Sequence, residues 1–516
     1  MNRTTLSLFA GTAALAAVTA FAAVDPPSAS GAAPGAAARQ PVQRTSLVCP
    51  APSTSDLAET TYTSFTPVTE GAASGGRARL QAAGEQSADD GSGADDKQKD
   101  GKEKDGKEKD GKEEKGGGEK AGQPVLTPKA PGTPATGDTS GGDTPALIGV
   151  ADGSFAPGWT VQETTEVAAG TGRGLLGVNC TGADTDFWFP GASTAAGRTD
   201  YVHLTNPDDS AAVVDIELYG KDGAIKAPLG ENLTIEPGAS EAFLLPTLTE
   251  ERQADLTVHV GVRGGRVGAA VQALDDKAGG DWLAPAADPA GSLVLPGIPK
   301  DATDVRLTAF APGDDDADLK IRLASSDGMI TPAGNETVHV KSGMTTTVDL
   351  GDVTRGEPGS LVLTPTDQTA PVVAALQVVR GKGDKRETAF IPATAAVGTR
   401  ATSAGNSAKG TTLALTAPEG AATVKVTASA GSEGGTPATK TYTIKSGTTQ
   451  DVDAPVPAGL KGTYALTVEP VSGGPVYASR TLTTADTPAF TVQILPSDHG
   501  LVPVPRTRED LSILQK

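Results

Sequence analysis

Short alternating segments run through most of the chain. Val213-Val214-Asp215-Ile216-Glu217-Leu218-Tyr219 and Thr257-Val258-His259-Val260-Gly261-Val262 switch between apolar and polar with period two, as a half-buried strand must. β-Branched residues fill such segments, and Pro-Gly, Asp-Gly and Ser-Gly steps punctuate them. No window of the body carries a clear helical period. The pattern predicts an all-β chain.

The segments recur at a period near 105 residues. A short apolar strand ends in proline at Phe187-Trp188-Phe189-Pro190, Leu293-Val294-Leu295-Pro296, Ala389-Phe390-Ile391-Pro392 and Gln493-Ile494-Leu495-Pro496. A second strand ends at Asn206-Pro207, Ala311-Pro312 and Ala417-Pro418. A tight turn follows at Pro237-Gly238, Ser342-Gly343 and Ser446-Gly447, its glycines 105 and 104 apart. Two further strands around a small-residue turn close each copy, at Leu256 to Leu274, Leu361 to Val379 and Tyr464 to Leu482.

Six or seven strands per copy predict tandem immunoglobulin-like antiparallel β-sandwiches. They are expected at residues 186–292, 293–387 and 388–505, with a tail at 506–516. Leu47-Val48-Cys49-Pro50 resembles the first strand, which predicts a divergent first sandwich at 46–185. The rival is one large propeller or barrel. A blade of this length is about twice the usual size, so modules strung in series are preferred.

Two segments break the pattern. Leu6 to Val24 is uncharged, follows Arg3 and ends at Asp25-Pro26-Pro27. Residues 1–24 are therefore expected to be a signal peptide, with Ala20-Phe21-Ala22 supplying the small residues before cleavage, or an uncleaved anchor. Either places the body outside the cytosol, secreted or held at the plasma membrane through residues 6–24. Residues 25–45 read as a disordered Pro/Ala linker. Residues 71–144 read as a disordered insertion splitting the first sandwich. Its centre repeats Lys99-Asp100-Gly101-Lys102-Glu103, which has almost no apolar surface to offset the entropy of ordering.

Charge and composition narrow the function classes. Asp and Glu number 63 against 43 Lys and Arg, a net charge of -20. That excludes a generic basic nucleic-acid binder. Cys49 and Cys180 are the only cysteines, and in an exported chain they are expected to pair. His203, His259 and His339 sit singly on predicted strands, and His499 near the end; none has the spacing of a metal site. Asp314-Asp315-Asp316-Ala317-Asp318 suggests calcium only loosely, and a solvated turn is the simpler reading. Phe187-Trp188-Phe189 reads as core packing beneath the disulfide rather than an exposed ledge. No catalytic, cofactor-binding or metal residues are assigned.

Leu47-Val48-Cys49-Pro50, Gly174-Leu175-Leu176-Gly177-Val178-Asn179-Cys180, Asp186-Phe187-Trp188-Phe189-Pro190-Gly191, Gly197-Arg198-Thr199 and Leu204-Thr205-Asn206-Pro207 together resemble a family of exported actinobacterial proteins of unknown function. The resemblance implies a secreted or envelope location and supplies no activity. The expectation is a non-enzymatic extracytoplasmic scaffold or binding protein of the cell envelope, with an envelope protein or polysaccharide as partner. The alternative is a carbohydrate-binding or carbohydrate-active secreted protein.

Overall fold

The computed structural model describes residues 38–84, 123–484 and 489–504. The predicted signal or anchor, the repetitive centre of the insertion and the tail at 506–516 lie outside them. No helix among the described residues is long and apolar enough to cross a membrane. The chain forms two units. The first comprises residues 1–40 and 502–516, and its described residues, 38–40 and 502–504, belong to the paired strands β1 (Ala38–Pro41) and β37 (Leu501–Val504).

The second unit, residues 41–501, holds four two-sheet modules. Module one contains β2 (Arg44–Cys49), β3 (Ala58–Phe65), β4 (Ala78–Ala82), β5 (Ala135–Ser140), β6 (Leu147–Asp152), β7 (Thr160–Val167) and β8 (Gly174–Asn179). Its sheets run β2-β6-β4 and β5-β3-β7-β8.

Module two contains β9 (Asp186–Ala192), β10 (Arg198–Thr205), β11 (Ala212–Gly220), β12 (Gly223–Ile225), β13 (Leu233–Ile235), β14 (Ser240–Leu244), β15 (Leu256–Gly264), β16 (Gly268–Asp275) and β17 (Gly279–Leu283). One sheet runs β9-β15-β11, with β12 and β13 both on β11, and the other runs β14-β10-β16-β17.

Module three repeats this with β18 (Leu293–Ile298), β19 (Ala302–Phe310), β20 (Ala317–Ala324), β21 (Met329–Ile330), β22 (Thr337–Val340), β23 (Thr345–Gly351), β24 (Gly359–Pro365), β25 (Val373–Arg380) and β26 (Glu387–Pro392). Its sheets are β18-β24-β20, extended by β21 and β22, and β23-β19-β25-β26.

Module four contains β27 (Ala401–Asn406), β28 (Thr411–Ala417), β29 (Ala422–Ala428), β30 (Gly434–Thr436), β31 (Ala438–Ile444), β32 (Thr448–Val452), β33 (Ala458–Lys461), β34 (Tyr464–Gly473), β35 (Tyr477–Thr483) and β36 (Phe490–Ile494). Its main sheets are β27-β34-β29-β31 and β32-β28-β35-β36.

Every strand pairing in these sheets is antiparallel, and in each module an apolar core fills the space between the two sheets. Alternation produces this directly. In β20 every other residue from Ala317 to Leu323 is buried and the intervening ones are exposed. The B–E and C–F pairs of an immunoglobulin sandwich are kept, as β10–β14 and β11–β15. The outer strands exchange places: the first strand, β9, lies beside β15, and β16 lies beside β10.

Three sequence expectations are corrected here. The insertion is shorter than 71–144, because β4 and β5 fall inside that range and pair with β6 and β3. Order also begins earlier than 46, since Arg44 to Cys49 forms β2. The third boundary moves as well. Ala389-Phe390-Ile391-Pro392 belongs to β26, which pairs with β25 and completes module three. Module four therefore begins at β27. The Pro-terminated segments mix first strands (β9, β18) with last strands (β26, β36).

Module one also carries the turn glycine of the other copies. Gly238, Gly343 and Gly447 have φ of 68°, 69° and 71°, and Gly132 has 84°, a region that favours glycine. In each module this glycine's N–H donates to a carbonyl at or just beyond the end of the second strand: Thr66, Asp208, Ala311 or Ala417. The four glycines are spaced 106, 105 and 104 residues apart.

The modules are not strung in a line. The last strands lie against one another in a closed circuit, β8 on β17, β17 on β26, β26 on β36 and β36 on β8. Around them, the first strand of each module packs on the next: β2 on β16, β9 on β25, β18 on β35, and β27 back on β7. The four last strands are consequently covered on both faces. All five residues of β17 and all six of β26 are buried, and Phe390 sits in the core of module two. The disulfide Cys49–Cys180, with Cα atoms 4.4 Å apart, joins the first strand of module one to the end of its last.

Candidate functional site

The closed circuit creates an axis, and the four strands that line it leave the axis at one end as Asn179–Gly182, Ala284–Ala287, Thr394–Ala395 and Ile494–His499. There they surround a cavity of about 300 Å³ with Leu47, Trp159 and Thr160 of module one. Each module contributes to its wall. The lining is mainly apolar: Leu47, Trp159, Pro285, Ile494, Pro496 and the Cys180 side of the disulfide. Thr45, Thr160, Thr181, Thr394, Thr402 and Ser497 add polar groups. Apolar walls with a few directional polar groups are the usual make-up of a ligand pocket.

The wall is fixed from behind. The Trp159 indole N–H donates to Ser64 Oγ at 2.8 Å. Its ring lies on Gly149 of β6, where a Cβ would come within 2.5 Å of it, so any larger residue at 149 displaces the tryptophan. The Ala287 N–H donates to the Ala393 carbonyl at 2.9 Å, pinning the module two rim to module three, while the Ala286 N–H donates to the Trp188 carbonyl of module two itself, also at 2.9 Å.

Modules one and four meet without a chain connection, and polar contacts hold them. Gln162 of β7 donates to Asn179 Oδ1 at 2.9 Å, and its Oε1 accepts from the Ala404 N–H. Asn179 Nδ2 donates to the Ile494 carbonyl at 3.0 Å. The Arg400–Asp498 ion pair is nearly covered; Arg400 also donates to Thr69 Oγ1 at 3.2 Å.

Below the cavity the axis holds one carboxyl group. Asp281 of β17 accepts at Oδ1 from the Gly177 N–H (2.9 Å), the Trp282 N–H (2.8 Å) and Thr491 Oγ1 (3.1 Å). It thereby ties β17 to its neighbour β8 and to β36 on the opposite side of the circuit. Burial pushes it well above the usual carboxylate range, against these donors. At the far end, the Arg173 guanidinium donates to the carbonyls of Lys277 (3.2 Å), Asp384 (3.2 Å) and Arg386 (3.0 Å). It lies 3.7 Å from the Glu387 carboxylate. Glu387 is pushed up to about 6 by burial, with Arg173 acting in the opposite direction.

The residues singled out in the sequence fall in separate places. Phe187 and Phe189 enter the core of module two, whereas the disulfide lies in that of module one, so they do not pack beneath it. Trp188 points the other way and stacks on His259 at 4.0 Å and on Phe310 of module three at 5.4 Å. His259 lies between Glu217 (2.8 Å) and Asp186 (3.4 Å), and His339 between Asp318 (2.8 Å) and Asp316 (3.5 Å). Part of the acid cluster is thus engaged by an imidazole. His203 is buried, lowered to about 4 by desolvation, and neutral. Only His499 and Cys180 reach the cavity. Among the described residues no three His, Cys, Asp or Glu side chains converge as a metal site would. Asp281, Arg173 and Glu387 were missed: each is a single charged residue in a short segment, and nothing local marks it.

No curated protein and no solved structure matches the chain. A family model matches residues 135–455, from β5 to just beyond β32, and so covers all of modules two and three. The chain belongs to that family, DUF5719, a family of unknown function.

Proposed function

We propose that this chain works outside the cytosol as a non-enzymatic binding protein or scaffold of the cell envelope, with the axial cavity as the seat for its partner. The observation that carries this reading is the cavity itself, which exists only because four modules close on one another and is lined by all of them. Its apolar wall and peripheral hydroxyl groups suit recognition of a partly apolar group on an envelope protein or polysaccharide. The Cys49–Cys180 disulfide in the wall agrees with an oxidising compartment, and the uncharged run 6–24 supplies the export signal or the membrane anchor.

The test is recovery from envelope fractions with the full chain and with Ala286→Trp, which fills the cavity from its rim. The reading expects a specific partner with the parent chain and at least a tenfold drop with the variant. Equal recovery by both contradicts the cavity as the seat. A second reading, carbohydrate recognition, draws on the open groove of about 450 Å³ lined by Glu59, Thr61, Asp138, Ser140 and Asp143. Glycan binding lost on Asp138→Ala but kept in Ala286→Trp would favour it.

A further inference from the structure

We infer that the outer face of the smaller sheet of module one is a seat for a polyol phosphodiester polymer. In that sheet β6 lies between β2 and β4, with Arg44 opposite Asp152, and Val150 flanked by Ser46 and Arg79. Alternation in β4 turns Ala78 and Leu80 into the core and leaves Arg79 and Gln81 on the outside with Arg77. Arg44, at the start of β2, joins them from the other edge. The three arginines line one concavity of about 170 Å³ with Gln81, Ile148, Val150 and Asp152.

Asp152 is the one carboxylate in the concavity, and its Oδ1 accepts the backbone N–H of Arg77 at 3.0 Å. Arg44 and Arg77 are exposed, and neither enters an ion pair among the described residues. The guanidinium groups of Arg44 and Arg77 against the one carboxylate of Asp152 leave the concavity locally cationic on a chain whose net charge is -20. Repulsion from the rest of the chain fades beyond a Debye length of about 8 Å in physiological salt.

The geometry points to a polymer rather than a single ion. Residues two apart on one strand are about 7 Å apart, and strands flanking a common neighbour are about 10 Å apart. Cations repeating at such intervals match successive diesters on a flexible chain. Guanidinium forks suit phosphate oxygens, and the apolar floor of Ile148 and Val150 suits the carbon backbone between diesters.

The test is fluorescence anisotropy with a labelled glycerol-phosphate oligomer and the full chain. The proposal expects binding that weakens with salt. Arg44→Gln with Arg77→Gln should weaken it at least tenfold and reduce the slope of log affinity against log salt by one to two, about one for each phosphate no longer neutralised. Arg44→Lys should weaken binding several-fold, and Arg322→Gln on module three should leave it unchanged. Unchanged melting midpoints in these exposed variants would show that the fold is retained. Ala286→Trp should bind the oligomer normally, which separates this groove from the axial cavity. Absence of binding at low salt would overturn the proposal. So would equal affinity in the double variant, or equal or tighter binding of a charge-matched polyglutamate or oligonucleotide.

Discussion

Glu387 gives the structure a defined pH dependence. Its carboxylate lies over Gly174 and Gly279, where a Cβ on either would come within 2.9 Å of Oε2. This close cover removes water and raises its pKa from an ordinary 4.5 to about 6. A carboxyl group raised in the folded state stabilises the fold fully below its unfolded value, and that contribution is lost as pH rises through the folded value. A shift of this size corresponds to about 2 kcal/mol lost between about pH 4.5 and pH 7. Glu387→Gln keeps the shape and removes the titration. It also removes the attraction to Arg173 at 3.7 Å, which the value of about 6 already contains. The variant should therefore be about 1–2 kcal/mol more stable than the parent at pH 7, and less so or not at all at pH 4.5. Urea midpoints of both chains across this range are the assay. Asp451, also raised to about 6 by burial, titrates in both, so the difference between the two curves isolates Glu387. Parallel curves would refute the burial argument.

Two further perturbations test other parts of the fold. Reducing Cys49–Cys180, which are 131 residues apart, should cost about 2–5 kcal/mol, read as a lower urea midpoint under reductant; an unchanged midpoint would show that the bond constrains nothing. Gly343 has φ of 69° and no atom within 4 Å of a built Cβ, so Gly343→Ala should cost about 1 kcal/mol from backbone conformation alone, while Gly313→Ala, where the backbone is ordinary, should be close to neutral in the same melt.

The strands were legible because most of them have one buried and one solvated face. β11, β15 and β20 carry that pattern openly. The last strand of each module was harder to place. β17 and β26 are buried on both faces, so they lack alternation and look like the buried first strands β9 and β18. Hence the misplaced boundary at β26. Gly132 escaped because it stands beyond a charged stretch whose apparent extent hid β4 and β5. Ring closure left no local mark: the contacts between β7 and β27 join residues more than 200 positions apart, as from Gln162 to Ala404. The axial cavity and Asp281 follow from closure and were equally hidden. The arginine groove was masked by the acidic total, and by the assignment of Arg44 to one linker and of Arg77 and Arg79 to another.

Module four closes on module one through β27 on β7 and β36 on β8. A Cβ built at Gly405 lies 3.4 Å from Thr63 Cβ, close to the separation of about 3.5–4.5 Å that a disulfide spans. The left-handed φ of Gly405, 69°, adds roughly 1–2 kcal/mol of strain for a cysteine there, which adjacency of the two sites can outweigh. The measurement is non-reducing peptide mapping of the Thr63→Cys, Gly405→Cys double variant. A closed ring predicts an intramolecular link between positions 63 and 405 alongside Cys49–Cys180. Recovery of both new cysteines as free thiols, with the native bond intact, would contradict it.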